Sequence, residues 1–278
     1  MRYGVYVPNF GPFWHPRAVA ELARLVEDCG WDGLFLWDHM AFDRAGTEEV
    51  GDPWIALAAA AMVTERIRLG ALITPLARRR PWKFARETVS LDHLSSGRVV
   101  AGIGLGDPPE VEFAVFGEEP AARVRADRLD EAVEVVNGLW SGRPYSFSGT
   151  HHEVAEITFL PAPVQTPRIP IWVAGVWPHK RPFRRAARWD GVFPEDAETG
   201  TPTPERLREI VAYIGSHRVS SESFDVVISG QTEASTAERQ LEPYLASPLT
   251  WWLERSQPGK RYSLAATRAR VSAGPPAL

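Results

Sequence analysis

The chain has 278 residues, 44% of them apolar and 24% charged, the balance of an ordinary globular protein. A net charge of −4 argues against a dedicated nucleic-acid binder, and the single cysteine, Cys29, excludes a disulfide framework or a multi-thiolate metal centre. The first ten residues lack the pattern of a secretory signal, and the longest apolar run, 54–63, is short of the roughly 20 residues that cross a bilayer. The expectation is a cytoplasmic protein with no membrane or nucleic-acid partner.

Short apolar segments alternate with longer amphipathic ones. Residues 2–7 (RYGVYV) read as a strand that stops at Pro8-Asn9. Residues 16–29 follow with apolar positions at helical spacing, opened by Pro16 and closed by Gly30. The run GLFLW (33–37) suits a strand buried on both faces. The unit then recurs: helix 54–64 and strand 67–73, helix 81–94 and strand 98–104, helix 122–140 and strand 169–175. Helix 179–188 precedes strand 190–193, helix 204–217 precedes strand 224–230, and helix 233–246 precedes strand 249–253. Eight strands nearly all separated by helices predict an α/β fold, a closed (β/α)8 TIM barrel, formed by residues 1–278 as one domain. An open doubly wound sheet would show a Gly-rich fingerprint after its first strand, and PNFGPF (8–13) does not supply one. Residues 141–168 are predicted to form an inserted hairpin and extended crossing between strands 4 and 5. Residues 255–278 are predicted to form a polar tail holding a last helix.

Barrel active sites sit at the C-terminal ends of the strands. Strand 2 ends in Trp37, Asp38, His39 and Met40. His39 suits proton transfer near neutral pH, with Asp38 to tune it; alternatively it orders its own loop. Metal ligation has little support, since no H-E-x-x-H and no H-x-H at a strand end occurs, and no G-x-S-x-G elbow marks a hydrolase. Two basic clusters follow strands: Arg78, Arg79, Arg80, Lys83 and Arg86, and then Arg168, Lys180, Arg181, Arg184, Arg185 and Arg188. Together they suggest an anionic ligand, and Gly175 before a helix start suits a phosphate. The alternative is solvated or ion-paired arginines. Trp37 and Trp177, at strand ends, are expected to be pocket walls ahead of Phe13 and Trp14.

The segments WDHM (37–40), DPWIALAAAA (52–61), 65–98, GIGLGDPPEVEFAVFG (102–117), 128–142, 159–175 and RAARWDGVFP (185–194) resemble, in order and spacing, the luciferase-like monooxygenase family and its deazaflavin-dependent branch. The resemblance implies coenzyme F420, preferred for the extended cationic rim, or FMN, held across the barrel mouth. It implies a bulge at the end of strand 3, with a non-prolyl cis peptide at Ala71-Leu72, just before Thr74. It matches Asp38 and His39 to the family's Asp-His pair, Gly106 and Asp107 to a turn at the polar edge of the coenzyme, and Ala174, Gly175 and Val176 to its phosphate cradle. Trp177 and Arg184 are expected to border that cradle. Val176 and Trp177 depart from the Gly or hydroxyl residue common there. The implied activity is hydride transfer or monooxygenation of a small organic substrate by a homodimer. Alternatives are an FMN-dependent monooxygenase fed by a separate flavin or F420 reductase, a non-catalytic flavin binder, and an unrelated barrel hydrolase acting on phosphorylated substrates.

Overall fold

The computed structural model describes residues 1–256 and 263–278. Strands β1 (Arg2–Val7), β2 (Gly33–Leu36), β3 (Arg68–Pro75) and β4 (Val99–Gly104) are joined by helices α1 (Pro16–Asp28), α2 (Pro53–Ala61) and α3 (Pro81–Leu94). One helical turn, α4 (Pro109–Glu112), and a long helix, α5 (Ala122–Trp140), come next. The predicted insertion is an antiparallel hairpin of β5 (Pro144–Ser148) and β6 (Glu153–Thr158), with an extended crossing after it. The second half of the chain is β7 (Ile171–Trp177), α6 (Lys180–Ala186), β8 (Gly191–Asp196), α7 (Pro204–Gly215), β9 (Asp225–Gly230), α8 (Ala237–Leu241), β10 (Trp251–Arg255) and α9 (Leu264–Ser272). Eight strands close into a parallel barrel in the order β1-β10-β9-β8-β7-β4-β3-β2. This is the predicted TIM barrel with its insertion between the fourth and fifth barrel strands.

Two apolar layers hold it together. Alternate residues of each strand point into the barrel, where Tyr6, Phe35, Leu72, Val100, Trp172, Phe193, Val227, Trp251 and Leu253 form an inner core. Their neighbours, such as Val5, Leu34, Val173, Val192 and Ile228, point outward and pack under the helices. Gly102 allows the close approach of β3 and β4. A Cβ there would meet Leu72 Cδ2 at 2.2 Å and the Ala71 carbonyl oxygen at 2.4 Å. This contact lies where the β3–β4 register shifts between Ala71 and Thr74.

Some boundaries differ from the predicted ones. β8 runs through Pro194 to Asp196 instead of ending at 193. Its pairing with β9 ends at Val192, so the missing N–H of Pro194 breaks no bond to that strand. The predicted helix 233–246 shrinks to α8 and a 3-10 turn, Glu242–Tyr244, because Pro243 cannot continue a helix. The last strand lies two residues later than predicted. The predicted last helix is present as α9, while residues 257–262 of the predicted tail lie outside the described residues.

Arg98 locks the base of this architecture. Its buried guanidinium donates to Ser95 O at 2.7 Å, Thr64 O at 2.8 Å, Thr64 Oγ1 at 2.9 Å, Ile67 O at 3.0 Å and Ala61 O at 3.1 Å. These include carbonyls left free by the end of α2. Removing the donors strands several buried acceptors. Arg98→Met is therefore expected to destabilise the fold by about 3 kcal/mol in denaturant titration. A loss within experimental error would mean that water replaces the guanidinium.

Candidate active site

A cavity of about 750 Å³ opens at the C-terminal ends of the strands. That volume suits a cofactor together with a small substrate. Its walls include Tyr6, Trp37, Leu72, Ile73, Pro75, Ala174 and Phe193. These mouth positions continue the inward side of each strand. The β3 bulge places both Leu72 and Ile73 in the wall, and the Tyr6 hydroxyl donates to Leu72 O at 2.5 Å. The non-prolyl cis peptide is Leu72–Ile73, one residue beyond the expected Ala71-Leu72. Ala71 and Thr74 do not line the cavity: each is fully buried and lies on the outward side of the bulge.

His39 lines the cavity and is held at both ends. Asn9, after β1, clamps its backbone: Asn9 Oδ1 accepts from His39 N at 3.0 Å, and Asn9 Nδ2 donates to His39 O at 2.8 Å. Glu112, from α4, receives the His39 Nδ1 at 2.9 Å and also the Met40 N–H. The Glu112 side chain is 1% exposed and ion-paired with Arg78. Arg78 Nη2 also reaches Asp38 Oδ1 at 2.8 Å, and Arg79 Nη2 reaches Asp38 Oδ2 at 2.9 Å. The result is a buried run of alternating charge, Glu112, Arg78, Asp38 and Arg79, with the His39 ring hydrogen-bonded at its Glu112 end. Glu112 fixes the Nδ1–H tautomer and leaves Nε2 as the acceptor of the neutral ring. Sequence reasoning does not single out Glu112; its only signal is its place on the loop after strand 4.

The predicted cationic rim is corrected. Arg78 and Arg79 turn inward onto Asp38, and Arg86 donates to Leu160 O at 2.6 Å, anchoring the crossing segment. On α6, Arg181 bonds Asp127 at 2.5 Å and Asp130 at 2.6 Å and Arg185 bonds Asp130 at 2.5 Å; just past its end Arg188 pairs with Glu134. Arg181 and Arg185 still line the cavity, whereas Arg184 is exposed on the outer face of its helix and does not. Trp177 is not a cavity wall either. It is buried against Phe183 and Tyr213, with Lys180 Nζ 3.1 Å above its ring. Phe13 is buried in the outer core and Trp14 is exposed, both away from the cavity.

Other expected positions do meet at the mouth. Gly106 and Asp107 line the cavity, and Arg125 supports their turn by donating to Leu105 O at 2.9 Å and Gly106 O at 2.6 Å. Ala174, Gly175 and Val176 line it beside His179 and Pro182. Gly175 is required there because a Cβ would meet Pro182 Cβ at 2.3 Å. Glu195, paired in register with Val176, stands next to this cradle, and Ser229 and Arg255 follow round the rim, none of them singled out from the sequence. Among the described residues no group of three or more His, Cys, Asp or Glu is placed to hold a metal ion. No described helix is long and apolar enough to cross a membrane.

The α5–α6 ion pairs brace the cradle side of the mouth. Burial alone would raise the Asp130 carboxyl, but Arg185 and Arg181 outweigh it and hold it below the usual range. Its stabilising contribution is present above the unfolded-state value near 4 and is lost as pH falls through the lower folded-state value. Asp130→Asn is expected to cost about 1–3 kcal/mol at pH 7 in urea titration, and the difference from wild type should shrink toward pH 2. A deficit of equal size at both pH values would assign Asp130 a packing role instead.

Comparison with known proteins agrees with this geometry. The family model described as luciferase-like monooxygenase matches residues 1–273. An F420-dependent glucose-6-phosphate dehydrogenase of Microbacterium testaceum is 31% identical over 166 residues, 59% of this chain and 48% of that protein. The Amycolatopsis mediterranei enzyme of the same name is 32% identical over 182 residues, 63% of this chain and 51% of that protein. The chain thus spans about half the length of these curated relatives. Among solved structures, an F420-dependent secondary alcohol dehydrogenase bound to an F420-acetone adduct superposes with a TM-score of 0.78 at 17% identity, covering 98% of each chain. The oxygenating constituent of 3,6-diketocamphane monooxygenase from Pseudomonas putida, in complex with FMN, superposes with a TM-score of 0.68 at 17% identity, covering 90% of this chain and 72% of that one. Barrel, bulge and a family match over nearly the full length point the same way: the chain belongs to the luciferase-like monooxygenase family.

Proposed function

We propose that this protein is an oxidoreductase that holds a deazaflavin, coenzyme F420, in the barrel mouth and oxidises or reduces a small organic substrate. The observation that carries the reading is His39, presented by Asn9 and Glu112 to a cavity of coenzyme size, beside the apolar bulge of the neighbouring strand. The relatives named as F420-dependent favour the deazaflavin over FMN. The cavity residues fit such a group. Leu72 and Ile73 offer a flat apolar wall, Gly106 and Asp107 a polar edge, and Ala174 to Val176 with His179 and Arg181 an anchor for a phosphodiester.

Once bound, the deazaflavin supplies the carbon that accepts or donates hydride. The protein's part is placement and proton transfer. With a deazaflavin bound to take the hydride of a carbinol carbon, His39 Nε2 would take the hydroxyl proton as the substrate becomes a carbonyl. Asp38 takes no proton in this scheme. Its carboxylate is committed to Arg78 and Arg79 and keeps the His39 loop in place. Trp37, whose ring lies 5.7 Å from those of both His39 and Tyr6, forms an apolar wall beside His39 that would limit water at the reacting atoms.

Spectral titration of the purified protein is expected to give tighter binding of coenzyme F420 than of FMN. The reverse order would replace this reading with an FMN-dependent monooxygenase supplied by a separate reductase. His39→Ala should leave coenzyme affinity unchanged while kcat falls by about 10²–10⁴-fold. Unaltered turnover would remove His39 from the chemistry. Glu112→Gln tests the positioning of the ring, with an expected fall in kcat of about 10²-fold at unchanged coenzyme affinity. A parallel loss of coenzyme binding would mean that Glu112 supports the whole pocket and not His39 in particular.

A further inference from the structure

Round the ring, β8, β9 and β10 lie four strands from β2, β3 and β4 respectively. Glu195 on β8 therefore stands across the mouth from His39. Ser229 on β9 stands across from the Leu72–Ile73 bulge, and Arg255 on β10 across from the turn that carries Asp107. All three come two positions after inward-facing core residues: Phe193, Val227 and Leu253. The side chains therefore enter the cavity by the pleat of the strands, and all three line it.

We propose that Glu195, Ser229 and Arg255 form the substrate-recognition arc of this mouth, taking an uncharged hydroxyl-bearing group and turning away phosphate esters. The inference rests on the mouth being the coenzyme and substrate site, with the coenzyme against the β3 bulge. The arc then faces the exposed side of the coenzyme, where the substrate lies.

The chemistry of the arc carries the substrate class. Glu195 and Arg255 both line the cavity and interact electrostatically without ion-pair contact, so a gap of more than 4.0 Å separates their charged atoms. Arg255 Nε is buried without a hydrogen-bond partner among the described residues. A hydroxyl placed in that gap donates to the carboxylate and accepts from the guanidinium, satisfying both at once. A phosphate meets a different balance. Burial pushes the Glu195 carboxyl above its ordinary range; Arg255 pulls it back, and Asp107 pushes it up further. A second anion beside this carboxyl adds repulsion that Arg255, already balanced by Glu195, does not offset, while Arg181 and Arg185 are held by Asp127 and Asp130 and Arg125 by two carbonyls.

Removing the Glu195 charge should therefore free Arg255 to bind anions. Calorimetric titration of glucose 6-phosphate and glucose into wild type, Glu195→Gln and the double variant Glu195→Gln/Arg255→Met tests this, in coenzyme-saturated and coenzyme-free protein. Glucose 6-phosphate is expected to bind Glu195→Gln at least about tenfold more tightly than wild type. The gain should vanish in the double variant and be absent for glucose. Equal behaviour of wild type and Glu195→Gln, whether both bind or neither does, overturns the proposal, as does a gain that survives loss of Arg255. Coenzyme titration of the same three proteins verifies that each is folded. Equal coenzyme affinity with no sugar-phosphate gain sinks only this inference. Failure of wild type to take up the coenzyme sinks the functional reading, and the coenzyme-free titrations still decide the role of the arc.

Discussion

The site depends on one buried electrostatic arrangement. Asp38 and Glu112 carry two negative charges, Arg78 and Arg79 two positive ones, and none of the four side chains is more than 15% exposed. Isolated charges at that depth would be prohibitively costly, so each holds the others in place. The arrangement joins three segments distant in sequence: the loop after β2, the turn after β3 and the helical turn α4 after β4. Asp38 and Glu112 border the cavity, and His39 is the member of this chain whose side chain is the most open to it. Its orientation is thus fixed by residues of two other barrel strands, and the apolar barrel beneath supplies the rigidity that makes such fixing effective.

The architecture was legible because the barrel is written in local patterns. Apolar strands of four to eight residues, helix-opening prolines at Pro16, Pro53, Pro81 and Pro204, and glycines between units recur along the chain. Departures occur where a local signal meets tertiary context. Pro194 reads as a stop, yet it sits where β8 no longer pairs with β9. Residues 233–246 carry a helical pattern, but Pro243 cuts it short.

The site was less legible, for two reasons. The first concerns charge. Residues Arg181, Arg185 and Arg188 read as a free basic face, but α5 presents Asp127, Asp130 and Glu134 at the matching helical spacing. Two helices adjacent around a barrel pair such ladders, and most of the apparent positive surplus is cancelled between them. Arg78 and Arg79 are absorbed in the same way by carboxylates from other loops. A charge cluster read along one segment ignores its partners across space. The second reason concerns direction. His39, Gly106 and Asp107 lie just past the ends of their strands, where a barrel site is sought first, yet β8 and β10 carry Glu195 and Arg255 within the strands themselves. Carrying the period-two alternation onward from Phe193, Val227 and Leu253 selects Glu195, Ser229 and Arg255 with no further information.

The same alternation explains why the mouth divides into two halves of different character. On β2 to β4 the inward positions give way to the Leu72–Ile73 bulge and to loops rich in backbone contacts, and the polar side chains there are tied to one another. On β8 to β10 regular strands persist to the rim, and their last inward residues line the cavity without hydrogen bonds or ion pairs to one another. A half that is fixed internally suits a coenzyme common to a family, since its binding groups must stay in one arrangement. The open half is where substitutions alter recognition at little cost to the barrel. Glu195 or Arg255 can change charge or length without unpairing the His39–Glu112–Arg78–Asp38–Arg79 chain, whereas removing Arg78, Asp38 or Glu112 takes a partner from a buried charge.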